Sequence, residues 1–132
     1  MTTLHIVAAV IVRDGRFLLV RKRGTTAFMQ VGGKIEPGEA PDAALVRECA
    51  EEIGLDVPVA ALVPLGRRAA VAANEPGHVV DAHVYAVPLP GGFEPVARAE
   101  IDEVVWVDPA APGSLPVAPL SVDLLAVAAS QA

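Results

Sequence analysis

The sequence predicts an α/β (α+β) sandwich. Three observations carry that expectation. Two β-branched, apolar runs at 4–13 and 16–22 are joined by Asp14-Gly15. One amphipathic helical segment starts near Ala40. Further strand-like runs follow it, and a closing helix occupies 119–129. Strands, helix, strands and helix in that order suit helices packed on sheet.

Taken in order, Asp14-Gly15 is the signal of a two-residue type I′ hairpin, because both residues tolerate positive φ. Arg21-Lys22-Arg23 closes the second strand, and Gly24-Thr25-Thr26 reads as a loop. Phe28 to Val31 is expected to form a short strand leading into Gly32-Gly33. Gly32 is expected to loosen the loop there. Pro37-Gly38 punctuates a turn-rich stretch from Ile35 to Glu39. The helix then begins with Pro41 in its first turn and Asp42 near the positive end of its dipole. Leu45, Cys49 and Ile53 form one apolar stripe, which Val46 and Ala50 widen. Gly54 is placed to stop the helix. Strands are expected at 59–72, 78–88 and 101–107. Asn74-Glu75-Pro76-Gly77 and Pro88 to Gly92 form turns between them, and 109–116 is a Pro-rich surface loop.

A chain of 132 residues suits one domain spanning 1–132. With 53% hydrophobic and 20% charged residues the composition is globular. The net charge of −6 disfavours nucleic acid as a partner, so anionic substrates would need local cations. One cysteine allows no intrachain disulfide, which fits a reducing cytoplasm. The apolar N-terminal run is interrupted by Arg13-Asp14-Gly15-Arg16, far short of a membrane span. A soluble protein without a membrane partner is expected.

The most informative stretch runs from Gly33 to Leu55, G-K-I-E-P-G-E-A-P-D-A-A-L-V-R-E-C-A-E-E-I-G-L. At about 100° per residue, Glu51, Glu48 and Glu52 fall at roughly −60°, 0° and +40° around the helix axis. Like charges at this spacing repel, and each sits near the negative end of the dipole, at a cost of roughly 0.3–1 kcal/mol. Stability alone does not explain three glutamates there. A divalent cation would offset the repulsion. The apolar stripe is expected to face away from these carboxylates, so that one side buries while the other holds cation.

This stretch resembles the Nudix box, the signature of Nudix hydrolases of the MutT-like kind. Gly33, Glu39, Arg47, Glu48, Glu51, Glu52 and Gly54 all match, and Leu55 fills the last apolar place. Seven fixed matches arise by chance at one start with odds of order 10⁻⁸, given ordinary residue frequencies. The resemblance implies a Nudix-type α/β/α sandwich with a central mixed β-sheet. It implies Mg²⁺, with Mn²⁺ as a substitute, held by Glu48, Glu51, Glu52 and the Gly33 carbonyl. It also implies water attack at phosphorus on a nucleoside diphosphate linked to another group, a nucleoside triphosphate first. ADP-ribose, a dinucleotide or a non-nucleoside diphosphate is the alternative, and a non-catalytic nucleotide-binding module is the more distant one.

Within that resemblance Glu48 matches the general base or base-plus-ligand. Glu52 is assigned to catalysis and metal, and Arg47 orients Glu48 or pairs with Glu39. Glu39 and Gly54 are structural. A further carboxylate before the tryptophan strand is expected at Glu103, with Glu100 behind it. Arg23 and Lys34 are candidates for phosphate, and Phe28 for stacking on a base. Arg21 and Lys22 share the phosphate reading, and Tyr85 the stacking one. Core packing competes for both aromatics. No zinc spacing surrounds His78 or His83, and Cys49 on the apolar face is not read as redox-active. A homodimer is expected by analogy with the family.

Overall fold

The computed structural model describes residues 1–131. The first strand, β1 (Thr2–Val10), pairs in parallel with β6 (His78–Ala86) and antiparallel with β4 (Gly32–Lys34). Strand β5 (Val63–Val71) completes this mixed four-stranded sheet in the order β4-β1-β6-β5. A second, antiparallel sheet has the order β2-β3-β7, from β2 (Val12–Arg13), β3 (Arg16–Lys22) and β7 (Ile101–Val107). Helix α1 (Pro41–Ile53) packs on β1 and β4, and α2 (Pro119–Ser130) on β1, β3 and β5.

Strand alternation assigns the two cores. Val7, Ala9, Leu18 and Val20 pack toward Leu45, Cys49 and Ile53 of α1. Ala8, Val10, Phe17 and Leu19 pack toward Leu120, Leu124 and Ala128 of α2. Both faces of β1 and β3 are therefore covered, which is why their sequences read as nearly unbroken apolar runs. Each fully buried Leu or Ile contributes roughly 1.5–3 kcal/mol. The result is the α/β/α sandwich with a mixed sheet that the resemblance implied.

Several local expectations hold. Asp14 (φ 53°) and Gly15 (φ 75°) are both left-handed, and Arg13 pairs with Arg16 across them. Pro41 opens α1, and Gly54 (φ 71°) ends it. Others are corrected. The run 4–13 is not one strand: the chain bends at the fully buried Ile11 and passes from the first sheet to the second. Residues 28–31 form only isolated bridges, Val20 with Met29 and Phe28 with Val117, and the strand begins at Gly32. Val59–Ala61 is a 3-10 turn, so β5 starts at Val63. Among the described residues no helix is long and apolar enough to cross a membrane.

Candidate active site

Helix α1 does not separate carboxylates from apolar residues as the stripe suggested. Its buried residues are Ala44, Leu45, Glu48, Cys49, Glu52 and Ile53, while Ala50 is exposed. At about 100° per residue these span roughly half the circumference, with Glu52 near the middle and Glu48 between it and the Ala44 edge. Only Glu51, on the outer flank, stays in solvent. Two of the three glutamates are thus folded into the helix–sheet interface, one above the other at i and i+4.

Glycines make room for them. A side chain on Gly33 would place its Cβ 2.7 Å from the Glu48 carboxyl carbon. Gly32 (φ 154°) sits so close to β1 that a Cβ would stand 2.0 Å from the Val7 carbonyl oxygen. The expected loosening at Gly32 is therefore reversed: the chain is pinned there. The Gly32 N–H approaches Glu52 Oε1 at 3.5 Å. Glu52 is 2% exposed, and its Oε2 has no hydrogen-bond partner. Burial, reinforced by the bonded and negatively charged Glu48, raises the Glu52 pKa well above the usual carboxylate range.

Arg47 is the hub of the outer rim. Its Nε and Nη2 donate to the two Glu39 oxygens at 2.8 and 2.9 Å, and its Nη1 donates to Glu48 Oε1 at 2.6 Å. Nη2 also reaches the Lys34 carbonyl at 3.1 Å. Arg47 thus both pairs with Glu39 and orients Glu48, the two options left open by the sequence. The Arg47 bonds, helped by the Glu36 N–H, hold the Glu39 carboxyl down at about 2. Glu51 turns toward Arg47 at 3.5 Å instead of joining Glu48 and Glu52. Among the described residues no three His, Cys, Asp or Glu side chains converge as a metal cluster.

The donor set nevertheless fits a hard divalent cation. Two stacked carboxylates, one with an orphaned buried oxygen, lie under a glycine cradle. Mg²⁺ commonly takes only one or two protein carboxylates and completes its shell with water and substrate phosphate. Glu48 and Glu52 would hold it, with the backbone at Gly33 close by. Burial pushes the Cys49 thiol up to about 12, with Glu52 and Glu48 adding to the effect, so it stays protonated and unreactive.

A cleft of about 350 Å³ meets the acidic pair at Gly32, Gly33 and Lys34. Glu48 and Glu52 lie behind those glycines and are not on its wall. Lys22 and Arg23 stand opposite, with Glu100 beside them. Arg23 and Lys34 line the cleft, and Lys22 joins them. Arg21 is spent on Glu103 at 2.8 Å and on the Thr25 carbonyl at 2.9 Å. Glu103 is held in that exposed pair; the carboxylates at the cleft are Glu100, paired with Lys22, and Glu75, paired with Lys34 at 3.2 Å. Phe28 is corrected: it is 6% exposed, packs in the core under α2 and does not line the cleft. Tyr85 packs against the core under α1, and His78 bonds the Pro76 carbonyl within its turn. Sequence reasoning missed Gln30 and Ser121, both buried and bonded to each other. A lone polar residue inside an apolar run was the available signal.

The raised Glu52 pKa has a definite sign. Between the ordinary carboxylate value of 4.5 and the raised folded value, the folded chain keeps a proton that the unfolded chain has lost. Stability of the metal-free protein therefore falls as pH rises above about 4.5. Thermal melts in EDTA at about pH 5 and about pH 8 should show the lower midpoint at the higher pH, with the gap narrowed in Glu52→Gln. An unchanged gap would assign the slope to other groups.

The sequence matches the family model of the NUDIX domain over residues 3–126. It is 32% identical over 130 residues to the CTP pyrophosphohydrolase of Escherichia coli (strain K12), covering 95% of this chain and 90% of that one. The fold superposes on the crystal structure of the MutT NUDIX hydrolase from Burkholderia pseudomallei with a TM-score of 0.79 at 24% identity, covering 96% and 98% of the two chains. The solution structure of the E. coli ORF135 protein gives 0.71 at 29% identity, covering 96% and 88%.

Proposed function

The chain belongs to the NUDIX domain family, whose members are hydrolases acting on acid anhydrides, and from that premise we propose that it cleaves nucleoside triphosphates to the monophosphate and pyrophosphate. The observation that carries the proposal is the buried Glu48–Glu52 pair, with its unpartnered oxygen, set behind the glycines of a cleft rimmed by Lys22, Arg23 and Lys34. Likeness over nearly full length to a CTP pyrophosphohydrolase supports a triphosphate over ADP-ribose or a dinucleotide.

NUDIX hydrolases use divalent metal ions, and the all-oxygen donor set favours Mg²⁺ here, with Mn²⁺ as substitute. When bound, the cation supplies charge neutralisation at the phosphoryl oxygens and acidifies water. The chain does the rest. Glu48 accepts the proton of the attacking water while Arg47 fixes its carboxylate. Glu52 anchors the buried side of the site. Lys22, Arg23 and Lys34 draw the phosphate chain along the cleft. Glu100, paired with Lys22 at 3.5 Å, is the external carboxylate within reach, ahead of Glu103. In-line displacement at phosphorus depends on positioning and electrostatics, so no nucleophilic side chain is required. A cytoplasmic setting and a homodimer, with no nucleic acid or membrane partner, complete the proposal.

The test is a panel of nucleoside triphosphates, ADP-ribose, NADH and diadenosine polyphosphates with Mg²⁺ or Mn²⁺, following the released products. Pyrophosphate and a nucleoside monophosphate from a triphosphate should appear fastest. Faster cleavage of ADP-ribose would move the assignment, and no cleavage of any compound would overturn it.

A further inference from the structure

Helix α1 carries the acidic pair near its C-terminal end, and that end is closed by a segment far along the chain. The final carbonyls of an α-helix have no partner within the helix. The Gly54 and Leu55 N–H groups donate to the Ala50 and Cys49 carbonyls, both at 3.2 Å. The Glu52 carbonyl instead accepts the Arg98 N–H at 3.0 Å, and the Ile53 carbonyl accepts the Val96 N–H at 3.2 Å. The last turn of α1 holds no basic residue, although Glu51 and Glu52 sit at its negative end. Arg98 supplies the cation from outside. Its side chain lies across Gly54, with Nη1 3.1 Å and Cδ 3.2 Å from where a Gly54 Cβ would stand.

The same segment ends at the cleft. Ala99 holds φ at 53°, a left-handed conformation that a non-glycine residue keeps only where its surroundings fix it. Its carbonyl accepts Arg23 Nη2 at 3.3 Å, and the Glu100 carbonyl accepts the Arg23 N–H at 2.7 Å. The Glu100 side chain pairs with Lys22. Arg98, Ala99 and Glu100 thus bridge the end of the acidic helix and the wall that carries Lys22 and Arg23. Helix ends fray, and Glu52 is the penultimate residue of α1. Fraying would draw its carboxylate away from Gly32. We propose that Arg98 is a positioning residue for the reaction: it locks the end of α1, so that Glu52 stays beneath Gly32 and in register with the cleft rim. This rests on the hydrolase reading above. Arg98 does not line the cleft, and it acts through the helix end alone.

The test compares the wild type with Arg98→Ala and Arg98→Lys. Mn²⁺ affinity, measured by calorimetry without nucleotide, should fall about tenfold in Arg98→Ala, the usual loss when a group that holds a metal ligand in place is removed. With CTP and Mg²⁺ the loss should appear in kcat, again about tenfold, while KM stays within about twofold because Lys22, Arg23 and Lys34 are intact. Amide hydrogen exchange of the metal-free variant should quicken at 50–55 and 96–100 and nowhere else. Arg98→Lys returns a positive charge to the helix end and should recover Mn²⁺ affinity to within about threefold of the wild type. Unchanged Mn²⁺ affinity in Arg98→Ala would overturn the assignment, even if the melting temperature fell, since that would be packing alone. A rise in KM with kcat unchanged would overturn it too. If Arg98→Ala does not fold, Arg98→Gln carries the same comparison, because it keeps much of the stem over Gly54 and drops the charge. If the wild type binds Mn²⁺ but cleaves no triphosphate, the hydrolase reading fails by itself. The Mn²⁺ affinities and exchange rates then decide for Arg98: losses in Arg98→Ala that Arg98→Lys recovers uphold the positioning role, and wild-type values refute it.

Discussion

Replacing Glu52 with glutamine is expected to cut turnover of a nucleoside triphosphate by at least about 100-fold, or roughly 2.7 kcal/mol of transition-state stabilisation, with the fold intact. The two halves of that expectation come from one fact. Glu52 sits in surroundings that do not satisfy its ionised form: it is buried, stacked on Glu48, and its Oε2 lacks a partner. Glutamine keeps the volume and is neutral at every pH, so the metal-free interface no longer has to hold a proton to stay uncharged. The metal-free variant should therefore melt at or above the wild-type temperature. Millimolar Mg²⁺ should raise the wild-type midpoint, because a ligand that binds only the folded state stabilises it. The same addition should do little for the variant. Wild-type turnover in Glu52→Gln, or an equal Mg²⁺ shift in both proteins, would remove Glu52 from the site.

The order of strands and helices along the chain, and the acidic helix among them, were legible because short-range patterns set them; the mixed sheet order was implied only by the resemblance. Pro41, Gly54 and the Asp14-Gly15 turn act through local backbone preferences, and the structure honours all three. What the sequence did not reveal depends on packing partners remote in the chain. The angular positions of Glu48, Glu51 and Glu52 were right, but their side of the interface was decided by Gly32 and Gly33 on another element. An all-apolar β4 would have closed over the helix. Two glycines instead leave space for carboxylates, so residues that look solvent-facing on a helical wheel become buried. The same limit applies to Phe28, which the α2 residues Leu120 and Leu124 help to cover, and to Gln30, whose partner is in the last helix. Arg21, Lys22 and Arg23 look alike in sequence. Arg21 is set opposite Glu103 in the β3–β7 register and is spent there, while the register shift after it and the end of the strand leave Lys22 and Arg23 at the cleft.

Gly32→Ala should be the most damaging small substitution in the chain. Its added methyl would lie 2.0 Å from the Val7 carbonyl oxygen and 3.1 Å from the Ala8 Cα, both backbone atoms that no rotamer change can move aside. The position also holds φ at 154°, which L side chains rarely adopt. Relief requires β4 to shift away from β1, breaking the Val7–Gly33 and Ala8–Gly32 pairs and the Gly32 contact with Glu52. A cost above about 3 kcal/mol is expected, a large share of the roughly 5–15 kcal/mol that holds a domain folded. The melting temperature should drop by about 10 °C or more, and activity should fall with it. Gly33→Ala separates the two roles. Its methyl would meet a side-chain carboxyl, that of Glu48, which can swing away. That variant should lose activity steeply while melting much closer to the wild type. If the two alanine variants instead melted alike, β4 would not be pinned at Gly32, and the glycine cradle would lose its physical basis.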